Sequence, residues 1–497
     1  MASCPTRNPS EGSEPSEGLV FFSEKNFMNH YYYKCFNCKA EFSVKEIEPV
    51  FQYLCPRCGK VEANQPLTGV LLIEYDYLGL KKQLSKQDFM NLPAGQFWHS
   101  PQLLPLKYRN QNDQMGFEKI AHSQLNRLRL TDHPVLEFEF ENRNINFFDD
   151  TRNPTLSFKD RASSLVALKA LQMGISDISV ASTGNAASSL AGICARLGLN
   201  AHIFVPSTIP EEKLIQIQSF GASVYIVDGN YDQAFDLCVE ISKAKNWYNR
   251  NTAYNPLTIE GKKSAAYDLF ISMQGDLPDL IFVPVGDGVV IAGIYKGLWE
   301  LQQLGWIEKL PKLIAVQSQG SDALVRYLKT GSFEYKTPVT LADSISAGAP
   351  RNLYLAAHAV KSTGGEALVV SDQEILNAQK ILAQQMGLLV EPAAAASFLG
   401  YLKFKEKIFD SEKVVIMLTG NGLKDVSALQ RWNQKLDKNT PEQWRQILIS
   451  NGLKQSSIGR FLLELIRRRR TQRILFLDFH PLGEKLVSRR SDCQGKL

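Results

Sequence analysis

The sequence predicts an α/β protein in which two lobes, each built on a parallel sheet, follow a small cysteine-rich module. Three observations predict this organisation. Short apolar, β-branched runs alternate with amphipathic segments of helix length, glycine-containing loops follow several of these runs, and four cysteines form two close pairs near the N-terminus. Alternation of this kind is typical of βαβ units, whose parallel strands are buried on both faces. A chain of 497 residues is long enough for more than one domain.

The two ends of the chain differ in composition from its body. Residues 1–30 are rich in Ser, Pro, Glu and Gly and lack the basic and apolar regions of a secretory signal, which predicts a disordered segment. The longest apolar stretch, 280–295, is interrupted by Pro284 and Asp287, so we expect no membrane partner. The net charge of +5 arises in a predicted basic extension at 441–497. We therefore expect a cytoplasmic protein with no nucleic-acid partner.

Four cysteines have the spacing of a zinc ribbon. Cys35 and Cys38 form one pair, and Cys55 and Cys58 form another 16 residues further on. Two thiolates separated by two residues can bind one ion from a single tight turn. Four thiolates leave no position for water, so a structural Zn²⁺ in a ribbon at 31–65 is the prediction. The alternative is four thiols without metal, since disulfides are rare in the cytoplasm.

Residues 66–440 are predicted to form the two-lobe catalytic domain. The pattern is mixed up to about residue 141, and a regular alternation follows it. Because ligands of such folds bind at the carboxyl ends of the parallel strands, the loops after the strands are the candidate site. The predicted strands are SDISVAS (176–182), AHIFV (201–205), SVYIV (223–227), DLIFVPV (279–285), KLIAVQS (312–318) and KVVIML (413–418).

A lysine at a predicted helix start is the first candidate for chemistry. In the segment from Asn153 to Arg161, Pro154 ends the preceding segment, and Ser157 is a suitable N-cap. Lys159 then lies in the first turn, where the positive end of the helix dipole lowers its pKa. A lowered pKa is what a Schiff-base lysine requires. The alternative is a solvated lysine on an ordinary helix.

Three loops that follow predicted strands complete the candidate site. The loop at Ser182-Thr183 suits a carboxylate, and Gly286 and Gly288 let backbone amides approach a phosphate. The hydroxyl of Thr419 can hydrogen-bond a ring nitrogen. Each loop alone could be a simple turn. A reactive lysine, a carboxylate loop, a phosphate loop and a hydroxyl for a ring nitrogen together predict pyridoxal 5′-phosphate.

With these motifs the chain resembles the fold-type II pyridoxal-phosphate enzymes, whose fold is like that of the tryptophan synthase β subunit. It resembles the threonine synthase family in particular, in which the lysine motif reads N-P-T-G-S-F-K-D-R-G. The resemblance extends over 151–425 and includes VDGNYDQA, NPLTIEGKKSAAYDL and VEPAAAAS. It implies the conversion of a phospho-amino acid, O-phospho-L-homoserine, with water to L-threonine and phosphate. It also implies the homodimer that is common in this fold.

The resemblance also implies residue roles. Lys159 would bind the cofactor covalently and move protons, as general base and acid. The implied cofactor contacts are Phe158 beside the ring, Asn185 at the 3-oxygen, Thr419 at the ring nitrogen, and Gly286, Asp287, Gly288, Val289 and Val290 at the phosphate. The implied substrate contacts are Ser182 and Thr183 for the carboxylate, and Asn153, Ser157 and Arg161 for the phosphate.

The sequence departs from the family pattern at a few positions. Leu156 and Ala162 replace glycines, and we expect the bulky Leu156 to narrow the substrate pocket. Two alternatives to threonine synthase therefore stay open. One is another fold-type II enzyme, either a cysteate synthase or a threonine or serine dehydratase. The other is a catalytically silent regulatory protein that binds the cofactor.

Overall fold

Three sheets organise the part of the chain that the structure, a computed structural model, describes: residues 30–108, 117–182, 184–229, 231–433 and 440–444. The chain divides into two units, Met1–Asn433 and Gln434–Leu497. In the second unit the structure describes one helical turn, at 441–444. The predicted disordered segment before residue 30 and most of the predicted extension at 441–497 lie outside the described residues.

The strands and helices of the first unit follow one another in an α/β order. The strands are β1 Tyr31–Cys35, β2 Glu41–Phe42, β3 Leu71–Tyr75, β4 Val135–Phe140, β5 Arg143–Asp149, β6 Asp177–Ala181, β7 Asn200–Pro206, β8 Ser223–Val227, β9 Tyr248–Asn249, β10 Leu280–Pro284, β11 Lys312–Ser318, β12 Ala367–Val370 and β13 Val414–Leu418. The helices are α1 Val44–Ile47, α2 Tyr77–Gln83, α3 Lys86–Met90, α4 His122–Asn126, α5 Lys159–Met173, α6 Asn185–Leu197, α7 Glu211–Ser219, α8 Tyr231–Lys245, α9 Leu257–Ser272, α10 Val289–Gln303, α11 Ala323–Thr330, α12 Leu353–Ser362, α13 Asp372–Met386, α14 Pro392–Phe404 and α15 Val426–Gln430.

The N-terminal sheet has the order β2-β1-β3 and is antiparallel throughout. In β1 the residues Tyr31, Tyr33 and Cys35 are buried, while the residues between them are partly exposed, as expected of a strand with one face on a core. The third strand of this sheet lies beyond residue 65, where the sequence placed the end of the ribbon.

Two further sheets confirm the predicted pair of α/β lobes. The smaller has the order β8-β7-β6-β9, and all its pairs are parallel. The larger has the order β12-β11-β10-β13-β5-β4 and is parallel except for the pair of β4 and β5. All six strands that the sequence predicted are present, with boundaries that differ by at most one residue.

The sequence did not predict the hairpin of β4 and β5. Strand β4 is an edge strand in which glutamates alternate with apolar residues, so it lacks the continuous apolar run of a buried strand. Glu141 and Asn142 connect the two strands with φ values of 50° and 60°. Positive φ at both central residues is typical of a type I′ turn, which matches the twist of the strands that it joins.

Helix α9 packs against both α5 and α10, and the three helices position the site. All residues of α9 except the last, Ser272, are buried. A Cβ atom at Gly293 of α10 would lie 2.6 Å from the Cβ of Lys262. Glycine there lets the two helices approach closely, as Gly261 does between α9 and α5. Within the described ranges, no helix combines the length and the apolar character that a membrane span requires.

Candidate active site

A cavity of about 650 Å³ lies where strands of both parallel sheets end. Its wall includes Ser182 after β6, Pro206 at the end of β7, Pro284 at the end of β10 and Thr419 after β13. The lysine motif and the three predicted loops therefore meet at one site. The sequence-predicted residues that line it are Lys159, Ser182, Asn185, Gly286, Asp287, Gly288, Val289, Val290 and Thr419. Thr183 lies outside the described residues.

Lys159 is the first residue of α5 and is held beside the Thr419 loop by backbone hydrogen bonds. The amide of Phe158 donates to the carbonyl of Thr419 over 2.9 Å, and the amide of Asn421 donates to the carbonyl of Leu156 over 3.1 Å. These two bonds fix the lysine relative to the hydroxyl that was predicted to face the ring nitrogen.

The turn before α5 is stabilised differently from the prediction. Phe158, with helical dihedral angles, occupies the N-cap position, so the prediction of Ser157 as N-cap was wrong. The hydroxyl of Ser157 is buried and has no hydrogen-bond partner among the described residues. Asp160 instead accepts from the amide of Thr155 over 2.7 Å and from its hydroxyl over 2.5 Å. Because these acceptors reach back over the turn, they stabilise the approach of the chain to Lys159.

The pKa of Lys159 lies below its ordinary value. Burial is the main cause, since it removes water from around the ammonium group. The carboxylate of Glu391 opposes this shift, and the cations Arg250 and Lys213 add to it. The direction agrees with the sequence-based expectation, and burial is its main cause. A larger share of free amine makes Lys159 a better nucleophile and base.

The predicted phosphate loop connects β10 to α10. Gly288 occupies the N-cap of α10 with φ of 84°, in the left-handed region that favours glycine. A Cβ at Gly286 would lie 2.8 Å from the Cα of Ile345, so the loop approaches the segment opposite closely. Asp287 accepts from the backbone amide of Arg351 over 3.4 Å. The free amides at the start of a 15-residue helix then suit an anion.

Asn185 begins α6 and links the cavity to a buried carboxylate. Its Nδ2 donates to Glu391 Oε2 over 2.6 Å and to Ser344 Oγ over 3.0 Å. Its Oδ1 is buried without a hydrogen-bond partner among the described residues. Lys213 lies 3.7 Å from Glu391 Oε1 and 2.7 Å from Asp343. Sequence reasoning missed Glu391, although the family-like run VEPAAAAS that contains it was a signal.

Arg161 does not line the cavity. Its Nε and Nη2 donate to Asp150 over 2.6 and 2.8 Å, and its Nη1 donates to Asp268 over 2.6 Å and to Ser264 over 3.0 Å. The guanidinium group is fully buried. Two carboxylates thus neutralise the charge that was expected to bind a substrate phosphate. The geometry does not support a direct contact between Arg161 and the substrate.

The remaining predicted contacts also lie behind the wall of the cavity. Asn153 accepts from the amide and hydroxyl of Thr131 over 3.0 and 3.1 Å, which ties the lysine motif to the chain upstream. Phe158 is fully buried, with the guanidinium of Arg161 5.6 Å from its ring centroid. Leu156 is not among the residues that line the cavity, so the expectation that it narrows the pocket was wrong. Its φ is 67°, which is strained for a residue with a Cβ.

A second lysine, Lys262 on α9, lines the cavity and was not predicted. It is buried, and its Nζ has no hydrogen-bond partner among the described residues. Its pKa lies well below the ordinary value, first because of burial and then because Arg250 and Lys159 are near. In the sequence it is the first of two consecutive lysines in a helix, a pattern that more often marks a solvated face.

The four predicted ligand cysteines converge at the other candidate site. The Sγ atoms of Cys35 and Cys58 are 3.4 Å apart, those of Cys38 and Cys55 are 3.6 Å apart, and all four lie within 4.8 Å of one another. Four thiolates bound at about 2.3 Å to one tetrahedral ion would lie about 3.8 Å apart. The cluster can therefore hold a metal ion with little rearrangement.

Comparisons with known proteins agree with the geometry. The family described as "Pyridoxal-phosphate dependent enzyme" matches residues 129–420. A threonine synthase of Methanocaldococcus jannaschii is 33% identical over 408 residues, which are 81% of this chain and 95% of that protein. A threonine synthase of Methanosarcina acetivorans is 32% identical over 401 residues, which are 80% and 92% of the two chains.

Among solved structures, a cysteine synthase of Entamoeba histolytica matches 67% of this chain and 96% of its own with a TM-score of 0.54. Because the two sequences are 21% identical, this likeness shows the fold alone. The family match and the two archaeal relatives confirm the resemblance that the lysine motif predicted. The chain therefore belongs to the fold-type II pyridoxal-phosphate-dependent enzymes and, among them, to the threonine synthase family.

Proposed function

We propose that the protein converts O-phospho-L-homoserine and water to L-threonine and phosphate with bound pyridoxal 5′-phosphate. The observation that carries the proposal is the geometry of one cavity. Lys159, with a lowered pKa, faces the same space as the start of α10 and the hydroxyl of Thr419. The relatives that align over most of the chain are threonine synthases.

The cavity fits the cofactor. The unpaired Oδ1 of Asn185 is a buried acceptor that a ligand in the cavity can satisfy. Gly286 and Gly288 keep the start of α10 open, since a Cβ at either position would contact the chain opposite. The amides from Gly286 to Val290 would bind the phosphate, and Thr419 would face the ring nitrogen. Bound there, the cofactor supplies an electron sink for the charge that develops on the substrate.

Lys159 Nζ is the group of this chain that would move protons. It would take one proton from the Cα of the substrate and one from the Cβ, so that phosphate leaves from Cγ. It would then return one proton to Cγ and, once the hydroxyl of water has added at Cβ, another to Cα. The lowered pKa supports this role because it raises the share of free amine at any given pH. Ser182 and the N-terminus of α6 would hold the substrate carboxylate, with Thr183.

A structural zinc at Cys35, Cys38, Cys55 and Cys58 completes the proposal. The distances between the Sγ atoms support it. Thiolate ligands favour Zn²⁺ among the common divalent ions, and full coordination by protein excludes a catalytic role for the metal. A cytoplasmic location and a homodimer stay predictions.

The test is turnover by the purified holoenzyme. We expect release of phosphate from O-phospho-L-homoserine together with L-threonine. Lys159→Ala should lose both this activity and the visible absorption of the lysine-bound cofactor, whereas Lys380→Ala, at an exposed position of α13, should retain both. Turnover of L-threonine or L-serine would instead indicate a dehydratase, and consumption of O-phosphoserine with sulfite a cysteate synthase. Absorption without any turnover would support a regulatory protein.

A further inference from the structure

Lys262 has a buried amine without a partner among the described residues, whereas two nearby lysines on α9 and α10 are paired with carboxylates. Its neighbour Lys263 lies 2.6 Å from Glu260 and 3.0 Å from Glu300, and Lys296 lies 3.1 Å from Glu300. Lys262, with 1% of its surface exposed, takes part in no ion pair among the described residues. A buried amine without a partner is costly, because burial removes its hydration and nothing replaces it.

Arg250 is a second buried cation without a carboxylate partner among the described residues. Its Nε donates to the hydroxyl of Ser163 over 3.1 Å, and its Nη1 donates to that of Thr252 over 2.8 Å. Its Nη2 has no partner there. Burial lowers the pKa of Arg250 to about 10. The charge of Arg250 contributes to the lowered pKa of Lys262, and the carboxylate of Asp287 opposes this shift.

An anion bound in the cavity would give the buried amine of Lys262 a partner. The cofactor phosphate already has the free amides at the start of α10, which bind an anion without a formal charge. The proposed substrate brings a second phosphate. Arg161, the cation that the resemblance implied for it, is neutralised by Asp150 and Asp268.

We propose, building on the proposed function, that Lys262, supported by the charge of Arg250, binds the phosphate group of the substrate. Lys262 then determines specificity: it distinguishes phosphorylated from unphosphorylated amino acids. The bound phosphate supplies the partner that Lys262 lacks among the described residues, and its negative charge favours the ammonium form of Lys262. Without phosphate, burial favours the neutral amine of Lys262, which lowers the cost of leaving this side chain without a partner.

The test measures the binding of inorganic phosphate to the holoenzyme by titration calorimetry. Lys262→Met removes the charge but keeps the length of the side chain. We expect this variant to bind phosphate about 10- to 100-fold more weakly, because the loss of one charge-assisted hydrogen bond has an effect of this order. The KM for O-phospho-L-homoserine should rise by a similar factor. Lys262→Arg, which keeps the charge, should retain most of the affinity.

Lys169→Met is the matched control, because Lys169 is equally buried but is paired with Glu48 at 2.8 Å and does not line the cavity. It should lose stability and keep its affinity for phosphate. Affinity for the cofactor, measured by the visible spectrum, should be unchanged in Lys262→Met. A fall in cofactor affinity without a change in phosphate binding would assign Lys262 to the cofactor and overturn the proposal.

Unchanged phosphate binding in Lys262→Met would overturn it as well. Failure of the proposed function has a different signature, since the wild-type holoenzyme would then release no phosphate from O-phospho-L-homoserine. The calorimetric comparison of wild type with Lys262→Met does not depend on turnover, so the two failures are distinguishable.

Discussion

The cysteine cluster and the lysine cavity are assembled from the same chain in opposite ways. The four cysteine ligands lie within one short stretch of sequence, since the first, Cys35, and the last, Cys58, are 23 positions apart. The cavity is lined by residues from Lys159 to Thr419, which lie on both α/β lobes. A site with local ligands is readable from spacing alone. For a site assembled from distant segments, the sequence predicts only the residues in loops that follow strands. Site residues within helices cannot be predicted, because the sequence does not show which side of a helix faces the site.

The two regions also touch. Leu54, Leu67 and Val70 beside the cysteine cluster form one apolar cluster with Val289 and Ala292 of α10. The amide of Leu67 donates to the carbonyl of Arg351 over 3.0 Å, and the amide of Arg351 in turn contacts Asp287 of the phosphate loop. The ribbon therefore supports the helix whose N-terminus would hold the cofactor phosphate.

If the cysteine cluster binds Zn²⁺ as proposed, removal of the metal should have the largest effect on this arrangement. In zinc-finger peptides metal binding contributes on the order of 10 kcal/mol to folding. We expect a chelator, or Cys55→Ser, to unfold the ribbon and to weaken cofactor binding at α10, which melting curves and the visible spectrum would measure. Cys194→Ala, at a buried thiol outside the cluster, is the control. Retention of the full visible band after the metal is removed would show that the cavity is independent of the ribbon.

Replacement of Arg161, which is paired with Asp150 and Asp268, should have the next largest effect on the stability of the protein. Arg161→Met leaves Asp150 and Asp268 as buried carboxylates without a cation, and breaking such a pair costs about 3–5 kcal/mol. We expect a loss of stability of this size by chemical denaturation. The KM of the folded fraction for O-phospho-L-homoserine should change little. If the KM rises while the stability is unchanged, Arg161 contacts the substrate after all, as the resemblance implied.

The Lys262 amine should make the stability of the ligand-free protein depend on pH. Its folded pKa is below 10.5, so the unfolded chain binds more protons between the lowered pKa and about 10.5. Stability contributed by this group therefore rises with pH across that window, by up to about 1.4 kcal/mol per pH unit. Lys262→Met should remove this slope in phosphate-free buffer, while Lys380→Met should leave it. Equal slopes in wild type and Lys262→Met would mean that Lys262 is protonated in the folded state.

The sequence predicted those strands whose residues are mostly apolar along their length. KLIAVQS is recognisable as β11 because a strand buried on both faces is apolar along its length. The hairpin of β4 and β5 was missed because an edge strand alternates polar and apolar residues. Arg161 has the residue type of a phosphate ligand, and only the fold shows that Asp150, directly after β5, and Asp268, on α9, neutralise it. Lys262 lies within α9 and Glu391 is the N-cap of α14, and composition does not reveal that the side chains at these two positions reach the site.

Replacement of Leu156 should have the smallest effect, and it tests whether the backbone conformation at the lysine motif favours glycine. The residue has φ of 67°, a conformation that costs an L-residue with a Cβ about 1–2 kcal/mol, and the family has glycine there. Glycine removes this strain but loses about 0.5–1 kcal/mol of backbone entropy. We therefore expect Leu156→Gly to raise the free energy of unfolding by about 0.5–1 kcal/mol in denaturant titrations. Leu156→Ala keeps the Cβ and should give no gain. If both variants are equally destabilised, contacts of the Leu156 side chain outweigh the strain, and the bulky residue contributes to the stability of the turn that holds Lys159.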